Sequence, residues 1–348
     1  MRQIRQIYQY DPVIGYRFIP HLRARIQHEG GGYLIRTNGQ GFQSDREFQT
    51  AKDPSLRRVL IFGDSFTAGQ GVSNGYRFSD YLEQRVPDIE TYNFGLSGSG
   101  TDQQYLLYRE YARHIEHDLL IVAVFVENIR RVGSRYRTWA DRNGQPMIFE
   151  KPYFELAGDD LVLRGVPPRK KGYRPNELPA SQHAHVAAHV RFPKLKEWLQ
   201  KVRSNSSWER TLQAGGLKDQ ALKLVRYQPI KEYDDPSEGP WPVMRAILQK
   251  WIRDNSAPVM IVPIPLFHHV WEIADPSSYQ RCLREAAESA GGYYFDPLAD
   301  LQSYAVDERK SFYYQDGHLT RRGHEALAGS LAKQVETIVP AAIPTPAG

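Results

Sequence analysis

An α/β three-layer sandwich around a central parallel, flavodoxin-like sheet is the fold this sequence predicts, and three observations predict it. Short, almost wholly apolar runs, "VLIF" at Val59–Phe62 and "LLIVAVFV" at Leu119–Val126, have the length of strands buried on both faces. Amphipathic helical patterns alternate with these runs, as they must if helices are to cover both faces of a parallel sheet. Finally, the runs end in small polar residues, at Gly63-Asp64-Ser65, at Asn93-Phe94-Gly95 and at Glu127-Asn128. Carboxyl ends of strands are where an open parallel sheet gathers its ligands.

Taken in order, residues 1–55 mix aromatic or aliphatic pieces with turn residues ("EGGGYLIRTNGQGF") and read as a β-rich extension of small strands and hairpins. The α/β core begins at residues 56–138 with strand "RRVLIF", a helix near Tyr76 to Arg85, strand "IETYNF", helix "DQQYLLYREYARHI" and strand "DLLIVAVFV". Gly98 and Gly100 suit a tight strand-to-helix turn, with Thr101 and Gln104 fitting a capping box. Residues 139–240 break the rhythm and form an insertion or cap. Within it, "YFELAGDDLVLRGVPP" reads as a hairpin turning at Gly158 to Asp160, "RKKGYRPNELPA" as an exposed loop, and Ala184 to Arg226 as two helices. The core resumes over residues 241–338 with helix "PVMRAILQKWIRDN", strand "PVMIVPI", helix "SYQRCLREAAESA", strand "YYFD" and a last helix from about Thr320. The Ala/Pro tail at 339–348 should fray.

Composition narrows the function. Over 348 residues, 41% hydrophobic and 24% charged is the balance of a globular protein, and 45 Lys+Arg against 40 Asp+Glu is too mild an excess to imply nucleic acid. Cys282, the only cysteine, excludes a disulfide framework and a cysteine metal cluster, and on a helix it suits core filling. The amino terminus lacks an apolar stretch of signal-peptide length and the longest apolar run is far short of a membrane span, so a cytoplasmic protein is expected.

A serine at a rigid strand end can attack a carbonyl, and the Gly95 N–H and Asn128 amide at the neighbouring strand ends could hold the oxyanion that forms. Asn128 alone would equally suit a turn cap. The missing base is supplied by "YYQDGHLTRRGH", where His318 lies just ahead of the last helix and Asp316, two residues earlier, could orient its imidazole. His324 is six residues further on, off the face of His318, and reads as structural. His268 and His269 follow the fourth strand and could line the cleft or be solvated. Arg130, Arg131, Arg135 and Arg137 in "NIRRVGSRYR" follow Asn128 directly; either they form a solvated loop or Arg130 and Arg131 grip an anionic substrate.

These four segments resemble the blocks of the SGNH, or GDSL-type, hydrolase family: "GDS", the glycine of "NFGLSGSGTDQQ", the asparagine of "VENI", and "DGH" before the final helix. The resemblance spans roughly Arg57 to Ile129 and Trp241 to Val335 in the family's order. It implies Ser65 as nucleophile, the Ser65 N–H, Gly95 and Asn128 as the oxyanion hole, His318 as base and Asp316 as its orienting acid. Two departures stand out. The third block usually reads Gly-x-Asn-Asp, and "VENI" keeps only the asparagine; the last block is often Asp-x-x-His, and here it is Asp-x-His, which leaves Asp296 and Asp307 as outside candidates for the acid. The expected activity is removal of an O-acyl group, acetyl by preference, from a sugar or other hydroxylated metabolite, with no cofactor. An O-acyltransferase would use the same residues. A non-catalytic flavodoxin-like module, cradling phosphate at the first turn, is the remaining alternative; Asp64 would repel its ligand and "DGH" would have no role.

Overall fold

The computed structural model of the chain describes residues 7–141, 143, 145–186 and 227–340. The helices expected over Ala184–Arg226 fall almost entirely outside the described residues, as does the tail beyond Pro340. Two antiparallel hairpins open the fold, β1 (Tyr8–Asp11) with β2 (Gly15–Phe18) and β3 (Arg23–Ile26) with β4 (Tyr33–Arg36). There follow β5 (Arg57–Gly63), α1 (Ser65–Ala68), α2 (Phe78–Arg85), β6 (Ile89–Asn93), α3 (Thr101–Leu107), β7 (Leu119–Phe125) and α4 (Ile129–Val132). Two further hairpins, β8 (Tyr136–Ala140) with β9 (Pro146–Glu150) and β10 (Tyr153–Ala157) with β11 (Asp160–Arg164), precede the second half. That half runs α5 (Trp241–Arg253), β12 (Val259–Ile264), α6 (Phe267–Val270), α7 (Ser277–Glu288), β13 (Tyr293–Tyr294), α8 (Leu298–Gln302), α9 (Val306–Lys310) and α10 (Arg321–Ile338).

Five parallel strands form the central sheet in the order β13-β12-β7-β5-β6. Chain direction across the sheet reverses at β5, so the end of β5 is flanked by the ends of both β6 and β7, with Gly63 opposite Ala123 and Ile61 opposite Asn93. This is the switch point at which such sheets hold their ligands. Alternation along the strands divides the core. Leu60, Phe62, Leu120, Val122 and Ile261 face the layer of α3, α5 and α7, while Val59, Ile61, Ile121, Met260 and Val262 face α2 and α10. On α5 the buried residues Met244, Ile247, Leu248, Trp251 and Ile252 recur at helical spacing, and Trp251 meets Phe62 at 5.2 Å between ring centroids. Ile14, Phe18, Ile35, Phe42 and Phe48 join the same core, which ties the amino-terminal hairpins to the sheet.

Several elements differ from the sequence reading. The helix expected to run unbroken through Ile115 widens into a π turn at Tyr108–Ala112, which places Tyr108 against Trp251 and brings the Tyr111 hydroxyl to Asp11. The cap of α3 is one residue earlier than expected: Gly100 is the N-cap and Gln103, rather than Gln104, accepts its N–H (3.3 Å). β13 is shorter than expected, and beyond it Asp296 Oδ1 accepts the Leu298 N–H at the start of α8. The β8–β9 hairpin has no counterpart in that reading, whereas β10–β11 turns at Gly158 as expected.

Candidate active site

The turn after β5 is built for close approach. A Cβ on Gly63 would lie 2.0 Å from Thr67 Oγ1 and 2.9 Å from the Ala123 carbonyl oxygen, so the residue must be glycine. Asp64 then starts α1, its Oδ1 accepting the Phe66 N–H at 3.0 Å and its Oδ2 accepting Arg131 Nη1 at 2.6 Å. These two bonds fix a buried carboxylate and leave Ser65 as the first residue of the helix.

Ser65 Oγ lies 3.0 Å from His318 Nε2, and His318 Nδ1 lies 2.9 Å from Asp316 Oδ2. The His318 N–H donates to Asp316 Oδ1 at 3.0 Å, so one aspartate holds both the backbone and the ring of the histidine. The ring also leans over Phe66, 5.1 Å between centroids. Burial by itself would raise the Asp316 carboxyl. The hydrogen bonds and charge of His318, with His28, outweigh that and hold it well below the usual carboxylate range. Neither outside candidate contacts His318: Asp296 is occupied by Gln280 and Leu298, and Asp307 is an exposed partner of Lys310.

His28 and Glu29, in the loop between β3 and β4, were not singled out from the sequence. His28 Nε2 reaches Asp316 Oδ2 at 3.2 Å, and Glu29 Oε1 accepts the backbone N–H groups of Gln315 and Asp316. His28 is packed against Tyr314 at 4.6 Å and Tyr33 at 5.8 Å. The amino-terminal extension thereby clamps the loop that carries His318. With His28 and Asp316 288 positions apart, no local pattern could announce the contact.

On the donor side the geometry departs from the expectation for Gly95. Its N–H is committed to Asn93 Oδ1 at 2.9 Å, and a Cβ there would strike Ala68 N at 2.2 Å, so Gly95 is a packing glycine between β6 and α1. Three residues on, Gly98 has φ of 83°, and its N–H has no acceptor among the described residues. Asn128, in the turn after β7, is buried, and neither polar atom of its side-chain amide has a partner among the described residues; it occupies the N-cap position of α4 without a side-chain capping bond.

Arg130 and Arg131, expected either to grip an anionic substrate or to form a solvated loop, both have internal partners. Arg130 donates to Glu232 and Glu127, each at 2.7 Å, and to the Pro229 carbonyl; Arg131 bridges Asp64 and the Ser99 carbonyl. The two side chains tie the segment that follows Asn128 to the turn after β5, the loop after β6 and the residues around Glu232. Arg135 pairs with Glu155 at 3.0 Å. His324 is buried, accepts the Phe78 N–H at 3.2 Å, and is pushed down to about 3, chiefly by burial. His269 is likewise buried and lowered to about 4, its Nδ1 accepting the Leu266 N–H, while His268 packs on Phe267. Cys282 is a buried thiol raised by burial. No helix among the described residues is long and apolar enough to cross a membrane.

No curated protein matches the sequence. Among solved structures the chain is similar to a lipase/acylhydrolase from Enterococcus faecalis, at 10% identity and TM-score 0.41 over 83% of this chain and 100% of that one. It is similar also to the acetyl xylan esterase AlAXEase, at 12% identity and TM-score 0.42 over 80% and 99% of the two chains. A catalytic mutant of an acetylxylan esterase from Geobacillus stearothermophilus matches at 12% identity and TM-score 0.42 over 82% and 96%. At the level of sequence, the profile of the GDSL-like lipase/acylhydrolase family matches residues 61–326. The matched span starts within β5 and ends within α10, taking in Ser65, Asn128, Asp316 and His318 together, and the chain belongs to that family.

Proposed function

We propose that this protein is a serine esterase that removes an O-acyl group, acetyl by preference, from a sugar or other hydroxylated metabolite through an acyl-enzyme on Ser65. The observation that carries the reading is the unbroken relay from Ser65 Oγ to His318 to Asp316. With Asp316 ionised, His318 keeps its proton on Nδ1, and Nε2 is left to accept the proton of the serine hydroxyl. Attack forms the bond from Oγ to the acyl carbon. The resulting oxyanion is met by the Ser65 N–H, which has no intrahelical acceptor, by the Gly98 N–H and by Asn128 Nδ2. A buried amide with no partner costs about 1–3 kcal/mol, an expense consistent with a donor reserved for the transition state. Collapse breaks the bond to the alcohol oxygen, which takes the proton from His318. Water then enters, loses a proton to the same Nε2, and releases the carboxylic acid and Ser65.

An O-acyltransferase would run the first half identically and differ only in the acceptor. Supplying an alcohol during turnover of p-nitrophenyl acetate and measuring the ratio of acyl alcohol to acetate separates the two. The nucleophile is tested by intact-mass spectrometry after treatment with a fluorophosphonate. One adduct is expected in the wild type and none in Ser65→Ala, and labelling that persists in the variant would remove Ser65 from its role.

A further inference from the structure

Two parts of the chain that lie outside the central sheet, the β1–β2 hairpin and the β8–β9 hairpin, meet around a cavity of about 380 Å³. Tyr8, Tyr16 and Trp139 line it as a cluster of half-buried rings set edge to face, with centroids 4.9 to 5.5 Å apart. Arg137, Arg169 and Lys170 supply positive charge to the same walls. Of the other charged lining residues, Lys151 is paired with the buried Asp102, Glu150 accepts from the Tyr173 hydroxyl and the Arg169 N–H, and Asp141 accepts the Asn143 and Gln145 N–H groups.

Three of the lining residues, Tyr16, Arg137 and Trp139, pack against the loop after β6. Tyr16 donates its hydroxyl to the Ser97 carbonyl at 2.9 Å. A Cβ on Gly98 would meet Arg137 Nη2 and the Tyr16 hydroxyl at 3.2 Å and Trp139 Cη2 at 3.3 Å, so the bare side of Gly98 faces the rings and the guanidinium. One residue further, Ser99 accepts from Arg131, which holds Asp64 beside Ser65. The cavity and the relay thus share one short loop.

We propose that this cavity is the subsite for the sugar moiety of an acidic carbohydrate ester, with the aromatic rings receiving the apolar face of the sugar and Arg137, Arg169 and Lys170 receiving its carboxylate. Sugar rings present C–H faces that pack on aromatic side chains, and a guanidinium matches a carboxylate by bidentate hydrogen bonding. Burial, followed by the charge of Arg131, pushes the Arg137 guanidinium down to about 10, so an anion arriving here meets a cation held in a poorly solvated place. The subsite deepens the esterase reading and rests on it for the ester. It also replaces Arg130 and Arg131 as the source of anion recognition, since both are engaged elsewhere.

Binding tests the subsite without turnover. D-glucuronate and D-glucose are titrated against the wild type and against Trp139→Ala and Arg169→Ala/Lys170→Ala, with ligand-observed NMR for affinity and thermal unfolding to show that each variant is folded. The wild type is expected to bind glucuronate at least about tenfold tighter than glucose, the scale of one charge-assisted hydrogen bond. The double variant, which keeps Arg137, should show a reduced preference, and Trp139→Ala should weaken both sugars. Equal affinity for the two sugars in the wild type, or a preference undiminished in the folded double variant, would overturn the proposal. Glucuronate binding by a protein whose Ser65 takes no fluorophosphonate would support the subsite and remove the esterase reading; labelling without glucuronate binding would do the reverse.

Discussion

Removing the His28 imidazole should slow turnover without unfolding the protein. Its Nδ1 faces the Gly30 N–H at 3.4 Å, which places the ring proton on Nε2, aimed at Asp316 Oδ2 at 3.2 Å. Asp316 Oδ2 then receives two N–H groups, one from His28 and one from His318, and their balance fixes the direction in which the carboxylate holds the base. A hydrogen bond to a charged group is worth about 1.5–3 kcal/mol. Because the Asp316 side chain is 36% exposed, water replaces part of that, and about 1–1.5 kcal/mol remains for orientation. If that loss is expressed in the transition state, kcat for p-nitrophenyl acetate falls about 5- to 12-fold in His28→Ala. KM should hardly move, since His28 acts through Asp316 as a positioning residue. His28→Gln, whose amide nitrogen can stand where Nε2 stands, should recover most of the loss. A structural effect alone would lower the unfolding midpoint and would show no such rescue. Wild-type kcat in His28→Ala, or a glutamine variant as slow as the alanine one, would refute the reasoning.

Asn128→Ala is expected to lower kcat by about 10²–10³-fold with little change in KM, and, because the amide is already unpartnered, to leave the unfolding midpoint no lower than that of the wild type. Arg131→Ala strips a buried carboxylate of its ion pair and should destabilise the fold by about 3–5 kcal/mol, read by urea denaturation. Activity should fall on neutral and anionic esters alike; a loss confined to anionic esters would return Arg131 to the substrate. His324 and His269 have folded values of about 3 and about 4, below 6.5 for the unfolded chain, so the unfolded state takes up protons first. Stability should therefore decline as pH falls below about 6.5, by up to about 1.4 kcal/mol per pH unit for each histidine, and level off below the folded values. His324→Asn should flatten this slope in denaturation curves collected from pH 7 to pH 4, and an unchanged slope would show that His324 is charged when folded.

Local chemistry determined the sheet and the relay. An apolar run as long as Leu119–Phe125 cannot avoid burial on both faces, and Gly63-Asp64-Ser65 carries its own instructions, since the glycine permits close packing and the aspartate caps the helix that presents the serine. Asp316 and His318 are two residues apart, so their pairing also lay within reach of sequence alone. Where a contact joins distant segments, the residue type leaves several partners open and only the tertiary structure chooses. Arginine in "NIRRVGSRYR" will pair with any carboxylate it meets. The fold brings Asp64 to Arg131 and Glu232 to Arg130 and sets Arg137 in the wall of the hairpin cavity. Gly95 and Gly98 look equivalent in "NFGLSGSG", but Asn93 takes the first N–H and a left-handed turn presents the second. His28 reaches Asp316 because the amino-terminal extension folds back across the strand ends, a placement set by the burial of Phe18, Ile35, Phe42 and Phe48 rather than by anything near the histidine. Burial patterns are written along a strand or helix at fixed periods; the partner of a polar side chain is decided by whichever segment that burial brings beside it.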